Sequence, residues 1–423
     1  MRENFLHYVW KHKKFDILNI KTTQHESIVL VSVGKHNHNS GPDFFNAQLK
    51  IEQQLWAGNV EIHIKSSDWF AHNHEEDKAY DNVILHVVYE HDTDIFRKDN
   101  STIPTLELKQ YINADVLENY QKLFSNKSKW INCEADFAQT EDFILNHWLE
   151  RLYFERLERK SKTIEDLLDA SKNNWEAVLF KMLTKNFGLK VNGDSFFSLA
   201  QSIEFSVVRK SQSNLLSIEA LLFGQAGLLE KEIEETYYQD LKDEYSFLKQ
   251  KFQLSNSFVL PLQFFRLRPP NFPTIRLSQL ACLYHKQHNL FSKLLVCETL
   301  EDFYTLFEVS TSQYWKTHYT FQKISKSSKK TVTKAFVDLL LINTLIPIKF
   351  SYAKHKGEAI NEQLMEIIRA IDSEKNSIIE GFNSLRKVPK SALESQALVQ
   401  LKTEYCNKHQ CLKCAIGNSL LNK

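Results

Sequence analysis

No run of apolar residues in this 423-residue chain reaches the roughly 20 that a membrane-spanning helix needs. The longest candidate, "FVDLLLINTLIPIKF" (336–350), has the length of a buried helix. In "MRENFLHYVWKHKKFD" the charges crowd the apolar residues too closely for a signal peptide. An excess of one charge is also missing. Lys and Arg number 53 against 52 Asp and Glu, so no overall field draws the protein to nucleic acid or an acidic membrane, and any such binding must be local. Cysteine is sparse and scattered, six in all, which excludes a disulfide framework and suits a reducing compartment. No fixed repeat period occurs, so a solenoid is excluded. These absences lead us to expect a soluble cytoplasmic protein with no membrane partner.

With 43% hydrophobic and 12% aromatic residues the chain can bury sizeable cores, and its length implies two or three domains. The first part reads as helix, strand, strand, strand, short helix, strand. Phe5, Leu6, Tyr8 and Val9 fall near helical spacing, and "SIVLVSV" (27–33) is a β-branched strand ended by Gly34. "NAQLKIEQQLW" (46–56) and "GNVEIHIK" (58–65) alternate and meet at Gly58, which predicts a hairpin turning there. "SSDWF" offers caps for a short helix. "DNVILHVVYE" (81–90), apolar nearly throughout, reads as a central strand. From about residue 112 the pattern turns helical. Residues 141–169 carry apolar side chains at three- and four-residue steps, and similar stretches recur at 174–186, 215–223, 230–253, 276–293, 330–346, 359–371 and 390–403. The prolines of "RLRPPNFPTIR" (266–276) predict an interruption without helix. The expected fold class is α+β: a small N-terminal α/β sheet domain at 1–112, then a large all-α domain at 113–423.

Histidine is unevenly spread. Ten of the sixteen precede residue 93, in a stretch (1–92) where 13 acids face 9 Lys and Arg. That is the composition a divalent-metal site requires. "GNVEIHIKSSDWFAHNH" (58–74) sets Glu61, His63 and Lys65 at alternate positions, on one strand face, with Val60, Ile62 and Ile64 on the other, and then adds His72 and His74. The bland reading is a solvated strand face; the sharper one is a metal site.

The order helix–β–β–β–helix–β is similar to the core of the restriction-endonuclease-like fold, whose PD-(D/E)XK pattern needs an acid near the second strand and acid-x-lysine on the third. "GPDFF" supplies Pro42-Asp43 and "VEIHIK" supplies Glu61, with His63 where lysine is usual and Lys65 further along the same face. Seventeen residues separate Asp43 from Glu61, a gap one hairpin can close. The resemblance implies two carboxylates and a backbone carbonyl caging Mg²⁺ or Mn²⁺. The metal would polarise a phosphodiester, His63 or Lys65 would orient or deprotonate water, and His72 and His74 would close the site from the loop. His63 in place of lysine and the short following helix depart from the pattern. "KHNHNSGPD" and "FAHNHEED" each carry His-x-His, which in a strand could chelate Zn²⁺, Fe²⁺ or Mn²⁺. A cupin barrel uses such a pair with a nearby Glu, but the glycine spacing and many even strands of a cupin are missing. His86, inside an apolar strand, reads as a core histidine or a support for a ligand.

At the other end, "EYCNKHQCLKCAIG" brings Cys406, Cys411 and Cys414 to metal-ligand spacing, and soft sulfur selects Zn²⁺ or an iron–sulfur cluster. The fourth ligand would be Cys133, in "WINCEADF", or the local His409. Exonucleases of the class above carry a cluster on one distant and three C-terminal cysteines. There the lone cysteine precedes the nuclease core, whereas Cys133 follows it. The bland reading is thiols on a terminal helix, and Cys282 and Cys297 read as core residues. Arg266, Arg268 and Arg276, flanking prolines, are candidates to bind phosphate. The lysine run of "FQKISKSSKKTVTK" (321–334) reads as a solvated loop.

Together "GPDFFNAQL", "GNVEIH", "SDWFAHNH", "YDNVILHVV", "FGQAGLL", "RLRPPNFPTIRL" and "CLKCAIG" resemble a bacterial family known only as domain of unknown function 2851. The resemblance runs nearly end to end and implies one architecture but no activity. The functional expectation therefore rests on Asp43, Glu61, His63 and Lys65: a metal-dependent phosphodiesterase of nuclease type acting on DNA or RNA. The alternative is a non-catalytic binding or scaffold protein with a structural metal.

Overall fold

The computed structural model describes residues 1–125, 129–358 and 362–422. The chain forms two compact units. The first comprises Met1–Trp148, Gly381–Lys387 and Leu401–Lys423; the second comprises Leu149–Glu380 and Val388–Gln400. The change of pattern at residue 112 is thus a change of secondary structure within the first unit, which the C-terminal segment also joins.

The first unit is built on a mixed sheet of β1 (Ile28–Ser32), β2 (Lys35–His36), β3 (Phe44–Ile51), β4 (Gln54–Lys65), β5 (Val83–Glu90) and β6 (Thr105–Glu107), ordered β1-β3-β4-β5-β6 with β2 on β3. The first strands pair antiparallel, while β4–β5 and β5–β6 are parallel. Val83 to Val88 of β5 are all buried, as a strand covered on both faces requires, which accounts for its apolar run. α1 (Glu3–Lys11) buries Phe5, Leu6, Val9 and Trp10 completely. At roughly 1.5–3 kcal/mol per side chain this burial, not any polar contact, sets where the helix lies. Phe5 stacks at 4.0 Å on Tyr120 of α3 (Ala114–Leu123), and the Trp10 indole donates to Val33 O at 3.1 Å.

The β3–β4 hairpin does not turn at Gly58. Ile51 pairs with Gln54, so the turn is at Glu52 and Gln53, with Glu52 at φ 52°. Gly58 lies within β4, where a Cβ would come within 2.4 Å of Ile84 Cγ2 and 2.6 Å of Asn82 O. The glycine marks the close approach of β5 instead of a turn. Register slips follow between Asn59 and Val60 toward β5, and between Phe44 and Ala47 toward β3, where Asn46 takes φ 57°. Bulges of this kind re-aim side chains, and these lie just before Glu61. We expect Gly58→Ala to cost about 1–3 kcal/mol, read from denaturant unfolding of the full chain. A change within about 0.5 kcal/mol would show that the strands have room to spare.

The second unit is largely helical. α4 (Asp142–Ala170) matches the long amphipathic stretch, and Trp175–Phe187, Leu215–Gln225 and Thr236–Phe252 form in stretches that read as helix. The helix expected at 276–293 instead begins at Pro273 and breaks at Asn289 (φ 53°) into Pro273–Lys286 and Leu290–Leu295. Proline at the first helical position has no N–H to lose, so the third proline of 266–276 starts a helix where the sequence pattern excluded one. The helix expected at 359–371 forms over Glu362–Ala370; residues 359–361 lie outside the described residues. Lys334–Lys356 is one continuous helix with a π-turn at Leu341–Leu345. Among the described residues it alone is long and apolar enough to cross a membrane, and 67% of its apolar window is buried, as in a core helix. Lys330, assigned to a solvated loop, is buried: its ammonium donates to Trp315 O and Lys316 O.

Candidate metal centre

Glu61 and His63 do not face water. Every residue from Val60 to His63 is buried, with Glu61 5% and His63 1% exposed. Asp43 sits immediately before β3, and strand pairing interlocks it with β4. The Asp43 N–H donates to Glu61 Oε2 at 3.0 Å, and the Ile62 N–H donates to Asp43 Oδ2 at 3.0 Å. The two acids therefore meet across the hairpin. Glu61 keeps its other oxygen toward imidazoles: Oε1 lies 3.3 Å from His74 Nε2 and 3.5 Å from His63 Nε2. His63 Nε2 is in turn 3.1 Å from His72 Nδ1, and one nitrogen from each of His63, His72 and His74 falls within 4.8 Å of the others.

The two histidines reach this point from the loop after a short helix. They are not in a strand. α2 (Asp68–Ala71) ends just before His72, and Asn73 at φ 57° reverses the chain so that His74 returns to the cluster, stacked at 3.8 Å on Tyr80. Behind the cluster, His63 Nδ1 lies 2.8 Å from His86 Nε2, which fixes the ring with Nε2 facing inward.

A second set adjoins the first through Asp43. Donor atoms of Glu3, His7 and Asp43 lie within 4.8 Å of one another, with His7 Nε2 3.2 Å from Asp43 Oδ2. The sequence reading missed Glu3 and His7. Their signal was an acid and an imidazole four residues apart, on one face of an amphipathic helix.

Several polar atoms here lack a hydrogen-bond partner: His7 Nε2, His74 Nε2 and His86 Nδ1 are buried without one. The first two lie close to carboxylate oxygens yet out of hydrogen-bond alignment. Among the described residues no Lys or Arg forms an ion pair with Glu3, Asp43 or Glu61. Burial, reinforced by the charge of Asp43, pushes the Glu61 carboxyl up to about 9. Burial, reinforced by His74 and His72, takes His63 down to about 3. Close carboxylates without a neutralising cation are costly. His63, His72 and His74, with Glu61 Oε1 beside two of them, are donors that could hold a transition-metal ion.

The other sequence candidates are placed differently. Lys65 shares the strand face but is exposed at the end of β4, where its backbone N–H donates to Asp68 Oδ2 at 2.9 Å. His36 stacks on Phe44 at 4.7 Å, and neither it nor His38 belongs to a donor cluster among the described residues. In the second unit Arg276 is buried. It donates to Gln279 Oε1 at 2.9 Å and Asn271 Oδ1 at 2.7 Å, with its guanidinium 3.7 Å over Phe336. Arg266 and Arg268 are exposed. Cys133, Cys406, Cys411 and Cys414 line one cavity of the first unit, whereas His409 is exposed.

No curated protein and no solved structure matches the chain. One family model matches residues 3–377, a span that holds every residue of both donor sets and Cys133 and stops before the three C-terminal cysteines. The chain belongs to the family described as protein of unknown function (DUF2851).

Proposed function

We propose that the first unit is a divalent-metal-dependent phosphodiesterase of nuclease type, acting on DNA or RNA, with Glu61, His63, His72 and His74 as metal ligands and Asp43 beside them. The observation that carries this reading is the meeting of Asp43 and Glu61, from adjacent strands, with His74 and His63 at 3.3 and 3.5 Å from Glu61 Oε1 and His72 beside His63. Element order supports it: with two-residue β2 set aside, α1, the antiparallel strands β1, β3 and β4, the short α2, and β5 parallel to β4 follow the order of a restriction-endonuclease-like core. Imidazole-rich ligation favours Mn²⁺ or Zn²⁺ over Mg²⁺. The bound ion would polarise the phosphodiester and lower the cost of charge on the attacking oxygen.

The side chains divide the remaining work. The Asp43 N–H ties down Glu61 Oε2 and leaves Oε1 for the ion. His86 orients His63. His7, held at Asp43, is placed to accept a proton from attacking water. His72 is exposed where Glu61 and His63 are buried, so substrate would enter past His72. Exposed Lys65, Arg266 and Arg268 are free to meet phosphates, and Arg276 is not. Each arginine that contacts a backbone phosphate should, on truncation to Ala, reduce the slope of log affinity against log salt by about 1. An unchanged slope in both Arg266→Ala and Arg268→Ala would remove them from the interface.

The deep burial of Glu61 and His63 also suits a closed, structural metal site in a binding or scaffold protein. One experiment separates the two. Full-length protein, stripped with chelator and reloaded with Mn²⁺, Zn²⁺ or Mg²⁺, is offered single- and double-stranded DNA and RNA. We expect metal-dependent cleavage that Asp43→Asn abolishes without lowering the melting temperature. Stoichiometric metal binding with no cleavage of any of these substrates would overturn the phosphodiesterase and leave the structural site.

A further inference from the structure

We propose that Cys133, Cys406, Cys411 and Cys414 hold an iron–sulfur cluster inside the first unit, separate from the histidine-rich centre and independent of its function. The four thiols come from two distant stretches of chain. Cys133 sits in a tight turn after α3, where its carbonyl accepts the N–H groups of Asp136 (3.0 Å) and Phe137 (2.8 Å). Cys406 ends a π-turn at Leu401–Cys406, Cys411 opens the 3-10 turn Cys411–Lys413, and Cys414 precedes the last helix, Ala415–Leu421. All four face one cavity whose other walls include Leu123, Ile131, Phe137, Leu401 and Ile416.

The loop carrying Cys411 and Cys414 closes tightly: the Cys414 N–H donates to Cys411 O at 3.2 Å, and the Asn418 N–H donates to Cys414 O at 2.8 Å. Gly417 permits the close fold of this loop, because a Cβ there would lie 2.1 Å from Cys411 O.

Spacing chooses a cluster over a single ion. Four thiolates on one Zn²⁺, each at about 2.3 Å, lie within about 3.8 Å of one another. Among the described residues the groups of donor atoms packed within 4.8 Å are His63, His72 and His74, and Glu3, His7 and Asp43, and the cysteines form no such group. A cubane of iron and sulfide, with a thiolate at each iron, suits the wider spacing.

The test is the composition of full-length protein purified without oxygen. We expect about four irons and four acid-labile sulfides per chain, with broad visible absorption. Both should be lost in Cys133→Ser and Cys411→Ser and kept in Cys282→Ser and Asp43→Asn. Zinc without sulfide would overturn the cluster in favour of a single ion. Folded protein with four metal-free thiols would overturn any metal there. Should the cysteine variants not fold, iron and sulfide content of the unaltered protein decides alone.

Discussion

Chelator-stripped His63→Ala protein is expected to bind Mn²⁺ or Zn²⁺ at least about 100-fold more weakly than the unaltered chain, measured by isothermal titration. His63 is the nitrogen donor the fold holds most firmly: 1% exposed, on a central strand, with its outer nitrogen on His86. Removing it takes one of four ligands and leaves His86, already short of one partner, with neither nitrogen bonded. His86→Phe keeps all four ligands and removes only the orienting contact, so a smaller loss of about 10–100-fold is expected. Equal affinity in His63→Ala and the unaltered protein would place the metal elsewhere or nowhere. Truncation also opens a cavity, so circular dichroism of the metal-free variant must first show a folded chain.

Glu61→Gln should separate stability from binding. In metal-free protein, burial and Asp43 hold the Glu61 carboxyl at about 9 against an ordinary 4.5. A carboxyl raised on folding contributes stability that is lost as pH climbs from about 4.5 through about 9, because the unfolded chain releases the proton earlier. A glutamine carries no such penalty. Its carbonyl can still accept the Asp43 N–H, and its amide can donate to the partnerless His74 Nε2. We therefore expect metal-stripped Glu61→Gln to be more stable than the stripped parent by about 1–3 kcal/mol at neutral pH. The margin should widen toward pH 9, while metal affinity collapses. A stripped variant less stable than its parent across this range would mean that Glu61 supports the fold as a carboxylate, and the case for a missing cation would weaken.

How much of this was legible depended on whether the controlling contacts were local. The β5 run and the alternation of β4 reported their strands directly, because side chains on a strand declare its faces. Asp43 and Glu61 could be brought together on paper because a hairpin leaves few registers. Lys65 shows the limit of that reasoning. It shares a face with Glu61 and His63, but the covering elements end before it, so it emerges into solvent. Glycine and proline misled for a related reason: Gly58 and Pro273 have the sequence signature of breaks, yet one answers a crowding strand and the other opens a helix. Glu3 and His7 carried only a weak signal as site residues. Their i, i+4 spacing puts them on one helix face, but which site that face meets is fixed by Phe5, Leu6, Val9 and Trp10 packing into the unit's core, a tertiary fact. The same holds for the joining of Cys133 to the C-terminal cysteines, where spacing named two possible fourth ligands and packing placed Cys133 at the cavity.

The proposed chemistry needs a divalent ion among Glu61, His63, His72 and His74. Anomalous difference diffraction at the manganese edge, from crystals of the full chain soaked in Mn²⁺, tests that most directly. The predicted result is one strong peak about 2.0–2.3 Å from His63 Nε2, His72 Nδ1, His74 Nε2 and Glu61 Oε1. No peak at saturating Mn²⁺, with those nitrogens hydrogen-bonded to water instead, would contradict it.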